Sequence, residues 1–125
     1  MSMLGYGIAE LHSAVRGVHE YRVFPNRLAQ LELHIDLDST FKNSVGVYCV
    51  DNHSRHRMVG HVAREHSRLV YKWLKTDNRV TAIITDDRVR WSRRAGHEMG
   101  IDLLLMSKDE EQMKDLQASF TSVPL

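Results

Sequence analysis

One cysteine, two prolines and seven glycines among 125 residues leave little from which to build several common kinds of protein. A lone Cys49 closes no internal disulfide and falls short of a structural zinc site of the usual kind, so a reducing compartment is expected. Low Gly and Pro content excludes collagen-like and low-complexity chains. Nowhere do some 18 apolar residues run together as a membrane helix requires. The first ten residues, MSMLGYGIAE, lack the basic and then apolar layout of a secretion signal. The expectation is a soluble, intracellular protein of the nucleus or cytoplasm, with no membrane partner.

Motifs of chemistry are also missing. Gly5 and Gly7 are not followed by the Lys-Ser/Thr of a phosphate-binding loop, and no HExxH or paired-cysteine pattern occurs. His53, His56, His61 and His66 lie at spacings of three, five and five, without an obvious carboxylate to complete a metal triad. Cys49 alternates with Val45 and Val47 and so reads as core, where a thiol is inert. Ser54 and Ser67 have no base and acid at telling positions. No catalytic residue, metal or cofactor is expected, and the chain does not read as an enzyme.

What remains is a composition 42% hydrophobic and 26% charged, in the range of one globular domain. The formal net charge of +1 hides an uneven layout. From His53 to Arg94 there are eleven Lys and Arg against four Asp and Glu, whereas the rest of the chain holds six against twelve. A basic middle is flanked by acidic ends.

Hydrophobic periodicity predicts mostly strands. Leu31, Leu33 and Ile35 alternate with Glu32, His34 and Asp36, and Val45, Val47 and Cys49 repeat the pattern. Between them, DLDSTFKNS has the composition of a turn, so the two runs read as an antiparallel hairpin. An earlier strand is expected over Ala14–Tyr21, ended by Pro25-Asn26. Met58–Val62 forms a fourth, with Gly60 marking a bulge or a close backbone approach. The period then changes: His66, Leu69, Val70, Trp73 and Leu74 form one stripe of a helix over Ala63–Lys75, whose other face carries Arg64, Arg68, Lys72 and Lys75. Val80, Ala82 and Ile84 mark another strand. The polar, Arg-rich segment Asp86–Met99 reads as a loop before a last strand over Gly100–Met106. Ser107 and Glu110 have capping-box spacing and predict a short C-terminal helix with Met113, Leu116 and Phe120 on a thin apolar edge.

This order predicts a mainly β, α+β fold. It is a small SH3-like or OB-like barrel of five to six strands, with one helix after the fourth strand and a short C-terminal helix. Residues 1–13 read as an N-terminal extension, 14–106 as the barrel domain and 107–125 as helix and tail.

Three segments taken in order carry a resemblance: RGVHEYR (Arg16–Arg22), TFKNSVGV (Thr40–Val47) and VGHVAREHSRLVYKWL (Val59–Leu74), with GIDLLL closing the series. Together they resemble the HIRAN domains, small barrels of DNA-remodelling helicase-type ATPases and some stand-alone proteins. The VGH turn leading into the helix is the most specific part. The family's Pro has no counterpart around Thr40, and its acidic residue none beside Lys42. The resemblance implies an OB-type binder of single-stranded DNA that recognises 3′-hydroxyl ends. Phe41 then stands where an aromatic stacks on a base, His61 and Arg64 where residues contact the terminal nucleotide and phosphates, and His19 and Tyr21 along the same pocket.

Independently of the family, Arg88, Arg90, Arg93 and Arg94 surround Trp91, and interleaved cations and rings suit a single strand, the charges tracking phosphates and the rings stacking on bases. Trp91 reads equally as a core residue at a strand edge beside a solvated loop, and His61 equally as a satisfied buried histidine. The basic helix face reads either as solvated or as a phosphate contact. The candidate nucleic-acid-binding set is His19, Tyr21, Arg22, Phe41, Asn43, His61, Arg64, Arg68, Arg88, Arg90, Trp91, Arg93 and Arg94, with single-stranded DNA the expected partner. The alternative is a protein-interaction or self-association adaptor that uses the C-terminal helix.

Overall fold

Inward-facing aliphatic residues at every second position close a six-stranded antiparallel barrel in the computed structural model, which describes residues 7–37 and 39–121. The strands are β1 (Gly7–Arg16), β2 (Gln30–Ile35), β3 (Val45–Val50), β4 (His56–Val62), β5 (Arg79–Ser92) and β6 (Gly96–Ser107). Their order around the barrel is β1-β4-β3-β2-β5-β6. Three helices join them: α1 (Val18–Tyr21), α2 (Arg64–Lys75) after the fourth strand, and α3 (Glu110–Thr121) at the C-terminal side. The OB-like barrel with a helix after its fourth strand is therefore the architecture.

Val15, Val45, Val47, Val59, Ile84, Ile101, Leu103 and Leu105 fill the interior. Val70 and Trp73 of α2 join the same core, and the Trp73 indole N–H donates to the Arg79 carbonyl at 3.2 Å. Cys49 is half-buried and packs against the core rather than within it, and burial pushes its thiol pKa up. Among the described residues no helix is long and apolar enough to cross a membrane.

Four parts of the fold differ from the sequence expectation. The first strand runs over Gly7–Arg16 rather than Ala14–Tyr21, because its inward positions include Ala9 and Ser13, too small and polar to give an alternating signal. Gly17, at φ 79°, then turns the chain into the single helical turn α1, so His19 and Tyr21 lie on a helix and not on a strand. The Arg-rich segment is no loop: β5 and β6 continue past the barrel as a two-stranded ribbon, with Arg90 opposite Glu98 and Trp91 opposite His97. The β5 side of the ribbon is exposed from Asp87 to Ser92 and so shows no apolar period. Finally, α3 is capped by Asp109, whose Oδ1 accepts the Glu111 and Gln112 N–H groups at 3.0 and 3.2 Å, while Ser107 ends β6 and accepts the Asp109 N–H. Met113 and Leu116 of α3 are buried on the barrel, so they give a partner no exposed edge. The Phe120 side chain lies outside the described residues.

The barrel closes at a short seam. β1 pairs with β6 from Gly7↔Ser107 to Arg16↔Glu98, but with β4 only at Val15↔Val62 and Arg16↔His61. Gly60 stands at this seam, where a Cβ would lie 2.3 Å from the Arg16 carbonyl oxygen and 2.9 Å from Val15 Cγ2. The register also shifts between Val47 and Tyr48, leaving Val59 as the extra residue of a bulge. Gly60→Ala forces backbone apart and should cost about 1–3 kcal/mol or more in urea unfolding. Gly17→Ala, with open space around its Cβ but a left-handed φ, should cost about 1–2 kcal/mol. A Gly60→Ala cost below that of Gly17→Ala would contradict the close approach.

His66 sits inside the α2 stripe with its Nδ1 2.7 Å from Ser13 Oγ. Burial holds its imidazole below the usual range, with the Glu65 charge opposing and the Arg16 charge assisting. The folded chain thus takes this proton less readily than the unfolded one. Stability should fall as pH drops below about 6.5 and through the lowered folded value. Unfolding curves between about pH 7 and 5 should be flatter for His66→Gln than for the parent chain. Equal slopes would refute the assignment.

Candidate nucleic-acid interface

The left-handed exit at Gly17 swings α1 toward the end of β4, bringing the Tyr21 and His61 rings to 6.0 Å. The β2–β3 connection approaches from the other side. Asn43, at φ 60°, turns it back into β3, and the Phe41 N–H donates to Ser39 Oγ at 3.1 Å. Between these segments and the start of α2 lies an open groove of about 970 Å³. Its lining includes Arg16, Glu20, Tyr21, Asp36, Phe41, Lys42, His61, Arg64, Glu65 and Arg94.

Phe41 is 65% exposed, and the Arg64 guanidinium lies 5.2 Å from its ring centroid, a cation–π contact at the N-terminus of α2. His61 Nε2 lies 2.8 Å from Asp36 Oδ2. Burial first, then the charges of Glu20 and Asp36, raises the Tyr21 pKa and keeps the phenol a hydrogen-bond donor. Arg16 makes the wall: its two terminal nitrogens donate to Glu65 at 2.6 and 2.7 Å, and its Nε donates to Glu98 at 2.8 Å. These bonds hold Glu65 below the ordinary carboxylate range and Arg16 above its own. The groove therefore offers an exposed ring, a phenol donor, a histidine–carboxylate pair and the cations Lys42, Arg64 and Arg94.

Of the candidate set, Tyr21, Phe41, His61, Arg64 and Arg94 come together along this groove. His19 does not line it but stacks on His97 at 4.6 Å. Arg22 caps α1 at φ 54°, donating its N–H to the Val18 carbonyl, and Asn43 serves the turn. Arg68 on α2 and Arg93 at the ribbon tip lie outside the lining. Arg88 and Arg90 share Asp86, with N···O distances of 3.0–3.1 Å, which holds that carboxylate well below its usual range. Trp91 is 64% exposed on the ribbon, which excludes the core reading.

Asp36, Arg16 and Glu65 were not singled out from the sequence. Asp36 shows there only as one more polar position of an alternating strand. Its partner lies 25 residues on, and Arg16 reaches its carboxylates across 49 and 82 residues, separations that no local pattern reports.

No protein-family model and no curated protein sequence matches the chain. Two solved structures do. The HIRAN domain of human HLTF matches with a TM-score of 0.70 and 16% identity, covering 90% of this chain and 88% of that one. A protein from Lactobacillus plantarum matches with a TM-score of 0.55 and 14% identity, covering 80% of this chain and 98% of that one. At such identities the likeness is one of fold: the chain has a HIRAN-like barrel.

Proposed function

We propose that the groove binds single-stranded nucleic acid, single-stranded DNA foremost, and that the chain acts as a binding module rather than an enzyme. The observation that carries this reading is the Phe41–Arg64 pair at the mouth of the groove. An exposed ring backed by a guanidinium supplies a stacking surface for a base and, beside it, a charge for the adjoining phosphate. Tyr21 and His61 line the inner side, and Lys42 and Arg94 extend the cationic rim. The HIRAN-like fold agrees with it, since the domains that the motifs resemble bind single-stranded DNA ends. The finer reading, recognition of a 3′ end, is supported by Asp36, a carboxylate bonded to His61 in the groove, which would accept a hydrogen bond from a terminal sugar hydroxyl.

Arg88 and Arg90 contribute less than Arg64, because Asp86 already neutralises part of their charge. In fluorescence anisotropy with single-stranded DNA, duplex DNA and RNA at two salt concentrations, the single strand should bind most tightly. Arg64→Ala should reduce the slope of log affinity against log salt by about 0.7–1, and Arg90→Ala by clearly less. Phe41→Ala should lose about 1–3 kcal/mol of binding, the worth of one stacked base. No binding to any of the three at low salt would overturn the proposal. A 3′-hydroxyl strand should bind more tightly than its 3′-phosphate counterpart, and equal affinities would remove the role given to Asp36.

A further inference from the structure

Away from the groove, the outer wall of the barrel gathers a second group of polar side chains. Glu32 and His34 stand two residues apart on β2, and His56 lies on β4, two strands away. Between them β3 presents Tyr48, paired with Glu32 on one side and next to the bulge on the other. Gly46, opposite His34, leaves the space into which Tyr48 folds: a Cβ there would lie 2.9 Å from the Tyr48 ring. The ring thus forms a floor, and His34 meets it edge-on at 5.4 Å.

Over that floor Glu32 Oε2 lies 3.3 Å from His34 Nε2 and 3.0 Å from His56 Nδ1, and all three donor atoms fall within 4.8 Å of one another. Two ligands on a tetrahedral ion with bonds of 2.0–2.1 Å stand about 3.3 Å apart. Both carboxylate–imidazole separations are therefore already those of a coordinated pair, and only the two rings, 6.3 Å between centroids, need to draw together. All three side chains are exposed, so a rotamer adjustment suffices and water can fill the remaining positions. The donors stand on paired strands of a closed barrel, a backbone that does not need to order itself on binding.

We propose that Glu32, His34 and His56 bind a divalent transition-metal ion of the zinc class, to which two imidazoles and a carboxylate are suited. The ion bridges β2 and β4 across β3 and braces that wall from outside. The sequence does not announce the site, because His56 is 22 residues from His34 in the chain and belongs, by spacing, with His53.

Isothermal titration of zinc chloride into the full chain in metal-free buffer should show one saturable site per molecule. His34→Ala, His56→Ala and the near-isosteric Glu32→Gln should each weaken it at least about tenfold, since a lost ligand costs no less than a lost outer partner. His53→Ala, outside the group, should leave it unchanged. Far-UV circular dichroism of these surface variants should match the parent. Absence of a saturable site, or a site of unchanged affinity in the His34→Ala/His56→Ala double variant, would overturn the proposal, whatever the outcome for nucleic acid.

Discussion

Closure of the barrel at the Gly60–Arg16 contact is the constraint on which the rest depends. β1 is fixed to β6 along its whole length, but the ring of strands becomes continuous only where β4 reaches the last two residues of β1. Backbone approaches backbone there so closely that no side chain fits at residue 60. Arg16 then uses its other groups to hold what the contact brings together, its guanidinium binding Glu65 of α2 and Glu98 of β6. Immediately afterward Gly17 reverses the chain and delivers Tyr21 to the groove. Seam, helix start and groove wall are thus consecutive consequences of one close approach. A partly buried arginine that satisfies two carboxylates is costly to disturb, because removing it would leave both acids without their partner.

This arrangement changes how the basic middle of the chain should be counted. A formal excess of positive charge between His53 and Arg94 suggests a broadly cationic surface, yet Arg88 and Arg90 converge on Asp86 and Arg55 on Asp51. Within the groove, Arg16 is matched by two glutamates, and Asp36 and Glu20 add further negative charge. Besides Arg16, the cations that line the groove are Lys42, Arg64 and Arg94. On the proposed reading, a groove with so few cations would bind with a modest salt dependence and rely correspondingly more on stacking.

Much of the fold was legible because its core follows local rules. Leu31 and Leu33, Val45 and Val47, and Val80, Ala82 and Ile84 announce their strands by alternation, and the stripe from His66 to Leu74 announces α2, which begins one residue later than expected. Local rules failed where burial stops providing a period. In β1 the inward Ala9 and Ser13 carry too little apolar surface, and the β5 side of the ribbon is exposed from Asp87 to Ser92. The Arg and Trp content of that ribbon suggests a loop, whereas Asp86, Arg88 and Arg90 alternate and share one hydrogen-bonded face. The groove was half legible: Tyr21, Phe41, His61 and Arg64 follow from motifs, whereas Asp36 enters only once β2 and β4 lie on either side of β3.

A barrel of this shape is shared with the human domain at 16% identity. Interior positions ask only for aliphatic volume in the right alternation, a demand many sequences meet. The seam asks for a residue without a Cβ, a demand only glycine meets. Groove chemistry is constrained differently again, because a functional group can enter the same space from more than one strand. No carboxylate stands beside Lys42, but Asp36, at the end of β2, brings one into the same groove and holds it 2.8 Å from His61.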